Sequence, residues 1–207
     1  MPQPSTQLTP QRLPTEARQA AIVAAALRLA QDRSPAAITT TDLAQAVGLS
    51  QGALFKHFAS KEAVWLAAMA WVAEHLPRSL HEAAQRGGTP LDALHRVFDA
   101  HVDFCVNYPG VPRVIFHELQ QPMDSPVKQQ VRSLLQNYRE LLLRLLTAAV
   151  QCGDAATELD APAAATLFIG IVQGLVMQSM LNGQIASMRA EAPRVFHLYL
   201  RAIRAAP

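Results

Sequence analysis

The side chains of this sequence that are best placed for chemistry lie within residues 39–61, TTTDLAQAVGLSQGALFKHFASK. Gln51 carries an amide that can pair with adenine, and Lys56 carries a cation that can reach the acceptors of guanine. Ala53 is small enough to lie against a thymine methyl group, and Gly52 projects from the same side of the segment if the segment is helical. Together these residue types are suited to contact base edges, by hydrogen bonds from Gln51 and Lys56 and by apolar contact from Ala53.

A second set of residues suits the phosphate groups of a nucleic acid. Thr40 and Thr41 can offer hydroxyl or amide groups to phosphate oxygens. Lys61 would add a cation to the free amides at the start of a helix, a combination that attracts anions. Arg12 or Arg18 can reach the backbone from an N-terminal arm. The alternative is that Gln51, Lys56 and Lys61 are only solvated polar side chains, so the structure of the surrounding segment has to distinguish the two interpretations.

Local signals predict two short helices joined by a tight turn. Thr39 and Asp42 form a Thr-x-x-Asp start signal, close to a capping box. Gly48 stands where the first helix must end in a left-handed residue, and Ser50 is a good N-cap for a second helix over residues 51–57. The order of helix, glycine-containing turn and helix is the helix-turn-helix layout, in which the second helix enters the DNA major groove. On that helix Leu54 and the following Phe58 are expected to be core residues.

This segment resembles the DNA-binding domain of the TetR/AcrR family of transcriptional regulators. The residues that carry the resemblance are Thr39, Leu43 and Ala44, Val47 to Ser50, Leu54 to Phe58, and Ser60 to Glu62. The resemblance implies that Phe55, in place of the usual Tyr, and His57 contact phosphate groups. It further implies a homodimeric repressor that binds a palindromic operator in double-stranded DNA and is released by an apolar or amphipathic small molecule.

Beyond this segment the chain predicts an all-α fold, because apolar residues recur at helical spacing between Pro and Gly residues. We expect a flexible tail over residues 1–13, a helix-turn-helix head over 14–60, a bridging helix over 61–76 that ends before Pro77, and a helical body for ligand binding and dimerisation over 77–207. The first helix is expected over residues 15–32. Helices of the body are expected at about 91–107, 112–120, 126–152, 162–182 and 193–205.

Residues 163–181 contain no charged residue and are long enough for a membrane span. Interior glutamines and the absence of flanking basic clusters favour a buried helix instead. Gly170 and Gly174 are four residues apart, so another helix can approach closely. The resemblance implies a dimer interface here, formed by the helices near 126–152 and 162–182 with Gly170, Gly174 and Met177. An ordinary core helix within one chain is the alternative.

The body is expected to enclose an apolar cavity with a few polar groups that orient a ligand. The candidate ligand-binding residues are Trp71, Phe98, His101, Phe104, Cys105, Phe116, His117 and Met177, with Met123 as a further candidate. Aromatic and Met side chains at helical spacing are more often ordinary core residues, so each of them has this alternative. Neither His101 with Asp103 nor His117 with Glu118 completes a set of metal ligands, so we expect no metal and no cofactor.

Composition is compatible with a regulator but does not identify one. The 207 residues carry a formal net charge of only +2, so local placement of charge has to support DNA binding. Two cysteines without metal-ligand spacing and a polar N-terminus favour a reducing cytoplasm. Two other classes stay open. A helical-bundle enzyme would need a catalytic motif, and we find no Gly-x-Ser-x-Gly, His-Glu-x-x-His or phosphate-binding glycine loop. An architectural or adaptor protein would use the helix-turn-helix to bind a partner.

Overall fold

The computed structural model describes residues 14–205, which form nine α-helices, two short 3-10 helices and no strand beyond one isolated bridge. The predicted all-α fold is therefore confirmed. Arg12 and the expected tail lie outside the described residues. The α-helices are α1 Thr15–Leu29, α2 Thr40–Ala46, α3 Gln51–Leu54, α4 Lys61–Ala84, α5 Pro90–Asn107, α6 Gly110–Leu119, α7 Pro126–Gln151, α8 Ala161–Leu181 and α9 Met188–Ile203.

Helices α1 to α3 form the head around a small apolar core. Ile22, Leu43 and Leu54 are almost completely buried in it. Phe58 follows α3 and is buried as well, which confirms that Leu54 and Phe58 anchor this helix as the sequence predicts. The first helix ends at Leu29, three residues earlier than expected, and the 3-10 helix Pro35–Ala37 connects it to α2.

Helix α4 joins the head to the body and is longer than the sequence predicts. The expected end at residue 76 is wrong, because α4 continues through Pro77 to Ala84. A proline inside a helix removes one backbone hydrogen bond and costs ~3 kcal/mol or more. The residue that loses its partner is Ala73, which is exposed, so water can satisfy its carbonyl. Beyond the proline, burial of Leu80 and Ala83 against the body offsets the cost.

The body contains helices α5 to α9 around a cluster of aromatic side chains. Phe98 stacks on Phe196 with ring centroids 4.4 Å apart, and Phe168 packs edge-on against Phe98 at 5.6 Å. Tyr199 packs edge-on against Phe168 and donates its hydroxyl to the carbonyl of Ala164 at 3.2 Å. This cluster ties α5, α8 and α9 together. Helix α9 begins five residues before the expected position, and Pro193 lies inside it.

Helix α6 begins in direct contact with the head. At Gly110 a Cβ atom would lie 1.9 Å from the carbonyl oxygen of Leu27 in α1, so only glycine allows this approach. Three residues later, the Nε of Arg113 donates to the carbonyl oxygen of Gln31 at 2.8 Å. Head and body are therefore joined at two places, by the continuous helix α4 and by the first turn of α6.

The contact at Gly110 predicts a stability effect. Gly110→Ala should destabilise the protein by about 1–3 kcal/mol, because the added methyl group overlaps a backbone atom that cannot rotate away. Urea unfolding followed by circular dichroism measures the difference. Gly52→Ala is the matched control: its Cβ would meet no atom within 4 Å, and alanine is the better helix former. Equal stabilities for Gly110→Ala and the natural protein would contradict the close packing of α6 on α1.

Candidate DNA-binding face and effector cavity

Three local features fix the geometry of the helix-turn-helix. Thr39 and Asp42 form the capping box at the start of α2, with the Thr39 amide donating to the Asp42 carboxylate at 2.7 Å. Gly48 adopts φ +67°, and the amide of Leu49 donates back to the carbonyl of Ala44 at 2.9 Å, which closes the turn. The Ser50 hydroxyl then accepts from the amide of Ala53 at 3.2 Å. The predicted turn and both caps are confirmed.

The second helix is shorter than predicted. Regular α-helix covers Gln51 to Leu54 and does not extend to residue 57. Past Leu54 the amides of Lys56 and His57 bond to carbonyls three residues back, which tightens the chain into a turn. The tightened turn brings Phe58 into the core of the head, so side chains at 55–57 leave from a turn and not from a continuing helix.

The residues proposed for DNA contact are all at least partly accessible to solvent. Thr41, Gln51, Gly52, Phe55 and Lys56 are exposed, while Thr40, Ala53, His57 and Lys61 are half-buried. Two of them are already bonded to each other, because Gln51 donates its amide to the Thr40 hydroxyl at 2.7 Å. That bond holds the Gln51 side chain across the gap between α2 and α3.

Lys61 and His57 have partners within the head. The Nζ of Lys61 donates to the carbonyl oxygen of Ala36 at 3.1 Å and lies 3.5 Å from that of Pro35. The carbonyl of His57 accepts from the Gln19 side chain at 3.1 Å, and its Nδ1 is buried without a partner among the described residues. Both residues thus help to assemble the head, in addition to any contact with phosphate.

Arg33 is a structural residue that the sequence did not reveal. Its guanidinium donates to the Asp42 carboxylate and to the carbonyl of Ala37, both at 2.9 Å. The Arg33 hydrogen bond, followed by those from Thr39, holds the pKa of Asp42 well below its usual range. The nine-residue separation crosses a 3-10 helix and follows no helical period, so no sequence signal marks the pair. Arg18, the other proposed arm contact, is half-buried on α1.

The body encloses an apolar cavity of about 80 Å³, here called the central cavity. Four proposed ligand residues line it: His101, Phe104, Cys105 and Phe116. The other lining residues come from α4 and α6 to α8, and they are Leu76, Val111, Pro112, Ile115, Leu119, Val131, Leu134, Leu135, Tyr138, Ile169, Val172, Gln173 and Val176. Helix α6 supplies one complete wall.

The remaining candidates lie elsewhere. Phe98 is fully buried in the aromatic cluster of the body, where it leaves no free surface. Trp71 stacks on His75 at 4.2 Å and faces a separate groove beside α1. His117 is half-buried on α6 and does not reach the central cavity. Met123 and Met177 are 77% and 52% exposed, the latter on the outer face of α8. Helical spacing in the sequence could not distinguish residues that line the cavity from residues in the core or on the surface.

Polar groups in the central cavity are few. The Nδ1 of His101 lies 3.1 Å from the hydroxyl of Tyr138, a residue that the sequence did not single out. Removal from bulk water lowers the pKa of His101 to about 4 and raises the pKa of the Cys105 thiol to about 12. Both side chains are therefore neutral at pH 7.

Helix α8 presents an uncovered apolar face. Gly170 and Gly174 are exposed, and a Cβ atom at either would meet nothing within 4 Å. Leu167, Met177 and Leu181 lie on the same helix and are 50–76% exposed. The helix is long and apolar enough to cross a membrane, and 33% of its most apolar stretch is buried. A partner must cover the remainder if the protein is to avoid exposing a large apolar patch.

Comparison with known proteins places the chain among regulators. The model of bacterial regulatory proteins of the tetR family matches residues 22–68, and that of tetracyclin repressor-like C-terminal domains matches residues 118–193. Nucleoid occlusion factor SlmA of Actinobacillus pleuropneumoniae is 27% identical over 94 residues, which are 45% of this chain and 46% of the relative. The chain thus spans about half the length of that relative. SlmA of Shewanella pealeana is 22% identical over 141 residues, 68% of this chain and 72% of the relative.

Solved structures share the whole architecture. The ketosteroid transcriptional regulator KstR2 of Mycobacterium tuberculosis has a TM-score of 0.77 at 18% identity, over 91% of this chain and 96% of that one. The transcriptional regulator FadR of Bacillus subtilis, solved in complex with stearoyl-CoA, has a TM-score of 0.75 at 20% identity, over 89% and 97%. These identities show a common fold. Because the two family models match the head and the body, this chain belongs to the tetR family of bacterial regulatory proteins.

Proposed function

We propose that the protein is a sequence-specific DNA-binding repressor that acts as a cytoplasmic homodimer and is released from a palindromic operator by an apolar or amphipathic small molecule. The observation that carries the proposal is the position of α6. One side of this helix forms a wall of the central cavity, and its first turn rests on the head. A molecule that enters the cavity therefore acts on the element that contacts the head.

In this proposal the exposed side of α3 reads the DNA. Gln51, held by Thr40, and Lys56 read base edges, while Ala53 lies against a thymine methyl group. Gly52 allows the helix to approach the groove closely. The phosphate contacts are made by Thr40, Thr41, Phe55, His57 and Lys61. Since Lys61 already bonds two carbonyls, its phosphate contact would be shared with the 3-10 helix.

A homodimer would supply the second half-site, because one short helix reads too few base pairs for a specific operator. We place the interface on α8, at Gly170, Gly174 and Met177, and on α9, where Leu198 is 63% exposed. The outward side of α7 is polar, with Arg132, Ser133 and Gln136 among its exposed residues. We therefore propose α9, in place of residues 126–152, as the second helix of the dimer interface.

Release requires the effector to favour one conformation, since a ligand that binds two states equally shifts neither. The central cavity of about 80 Å³ is smaller than the ~300–1,000 Å³ typical of ligand pockets. A ligand of ordinary size must therefore push α6 outward. Through Gly110 and Arg113 that displacement would move α1 and change the spacing of the two heads. The regulator FadR of Bacillus subtilis, solved in complex with stearoyl-CoA, supports an amphipathic ligand for a protein of this fold.

The likeness to nucleoid occlusion factors supports an alternative, in which an architectural or adaptor protein uses the helix-turn-helix to bind a partner. Mobility shift with DNA upstream of the protein's own gene tests the proposal: the homodimer should bind it in preference to random DNA. Equal binding to both would favour the alternative. No enzymatic activity is proposed.

The DNA-binding face predicts two different mutant effects. Lys56→Ala should relax specificity at one base pair at a cost of ~1–3 kcal/mol. Lys61→Ala should weaken binding to all sequences and reduce the slope of log affinity against log salt by about one unit. Fluorescence anisotropy titrations at salt concentrations from about 50 to about 200 mM measure both the specificity and the salt slope. Arg86→Ala, which also removes one exposed positive charge, is the control. An unchanged salt slope for Lys61→Ala would eliminate its phosphate role.

The outer face of α8 predicts the oligomeric state. Gly174→Leu should hold two copies apart and shift the protein toward monomer, because the glycine allows close helix approach. Light scattering coupled to size exclusion gives the mass. Ser133→Leu on the polar face of α7 is the control and should leave the mass unchanged. If Gly174→Leu keeps the dimer mass and full stability, the interface lies elsewhere.

The central cavity predicts that an inserted side chain imitates an effector. Cys105→Trp adds a ring to a space of about 80 Å³, so it should displace α6 and lower operator affinity without any ligand. Typical coupling free energies correspond to a ~5–150-fold change. Cys152→Trp at the exposed second cysteine is the control. Circular dichroism establishes that each variant is folded. A folded Cys105→Trp protein with natural operator affinity would refute the coupling.

A further inference from the structure

The pair formed by His101 and Tyr138 is the main polar feature of the central cavity. Its members approach to 3.1 Å across the cavity from α5 and α7. Apolar side chains surround them, apart from Gln173 at the exposed side of α8. Fixing a polar pair inside an apolar space costs free energy unless its hydrogen-bonding capacity is used. Hydrogen-bonding groups of this pair that have no partner in the protein therefore indicate what kind of ligand the cavity can bind.

Hydrogen-bond accounting shows what that capacity is. If the Tyr138 hydroxyl donates to Nδ1 of His101, the imidazole keeps its proton on Nε2. If Nδ1 carries the proton and donates, the Tyr138 hydroxyl keeps its own. In either arrangement, one N–H or O–H donor takes no part in the bond between the two residues and is free to bond to a ligand. Within residues 14–205 no protein group bonds to Nε2 of His101, and this atom keeps some accessible surface.

Charge in the cavity is equally restricted. Among the described residues, its lining includes no Lys, Arg, Asp or Glu. His101 cannot supply a cation at neutral pH, since desolvation lowers its pKa to about 4. An ionised carboxylate or ammonium group would lose its hydration without gaining an opposite charge, which is strongly unfavourable. An uncharged acceptor such as a carbonyl oxygen matches both the spare donor and the absence of charge.

We propose that the central cavity binds an uncharged, largely apolar molecule with one carbonyl group, such as a ketone or ester, whose oxygen accepts the spare donor of the His101 and Tyr138 pair. This inference rests on the proposed function for the role of the ligand as effector. It adds the chemical class, and it excludes free fatty acids and alkylamines from the same space.

Three eight-carbon probes of matched length test the inference: 2-octanone, octanoate and octylammonium. Calorimetric titration of the full-length protein at pH 7, without DNA, should show binding of 2-octanone and at least about tenfold weaker binding of both ions. The double variant His101→Leu with Tyr138→Phe removes both donors and should weaken 2-octanone binding by about 2–12-fold. Each single variant keeps one donor and should lose less.

The double variant His81→Leu with Tyr108→Phe is the matched control, because it makes the same two substitutions at exposed residues that do not line the central cavity. It should preserve the preference for 2-octanone over the ions. The inference is overturned if octanoate or octylammonium binds the natural protein as tightly as 2-octanone, or if no probe binds. It is also overturned if a folded double variant keeps full affinity for 2-octanone. Because titration on the natural protein decides the charge preference, a double variant that does not fold leaves the test intact.

Operator binding is measured separately and distinguishes the two proposals. Binding of 2-octanone that leaves operator affinity unchanged would reject the effector role while the ligand class stands. Loss of operator affinity on adding octanoate, with no effect of 2-octanone, would reject the ligand class while the proposed function stands.

Discussion

The packing of α6 against α1 is the constraint on which the rest of the structure depends. At Gly110 two backbones meet with no side chain between them, so the distance between head and body is fixed by atoms that cannot change rotamer. Packed interfaces of this kind move between discrete arrangements instead of deforming gradually. The same helix forms a wall of the central cavity, so the cavity and the head share one rigid element. The long helix α4 forms a second connection between head and body.

Local signals in the sequence predicted the helix-turn-helix because each acts within a few residues. The hydroxyl of Ser50 and the positive φ of Gly48 need nothing from the rest of the chain. The prediction that the bridging helix ends before Pro77 was wrong, because burial of Leu80 against the rest of the protein outweighs the hydrogen bond lost at the proline. Likewise α3 is short because Phe58 enters the core of the head. Helical spacing in the sequence does not predict this.

The cavity could be predicted only in part, since its walls come from five helices. Amphipathic spacing on α5 identified Phe104 and Cys105, but it marked Phe98 equally, and only the position of α9 shows that Phe98 belongs to the core. Tyr138 is 37 residues from His101 and was not identified, because no spacing rule relates the two. Lys61 presents the reverse case. Its position at the start of α4 predicted a phosphate contact, but the sequence did not predict its hydrogen bond to the carbonyl of Ala36.

The environment of Cys105 has a chemical consequence of its own. Burial raises the pKa of the Cys105 thiol to about 12, so at pH 7 the thiol stays protonated, and the thiolate is the form that attacks oxidants and electrophiles. A reactive molecule that enters the cavity therefore meets a sulfur atom that behaves as a small hydrophobic group. Cys152 is exposed and lies far along the chain at the end of α7. Covalent modification by peroxide or alkylating agents is therefore expected at the exposed Cys152 and not at the buried Cys105.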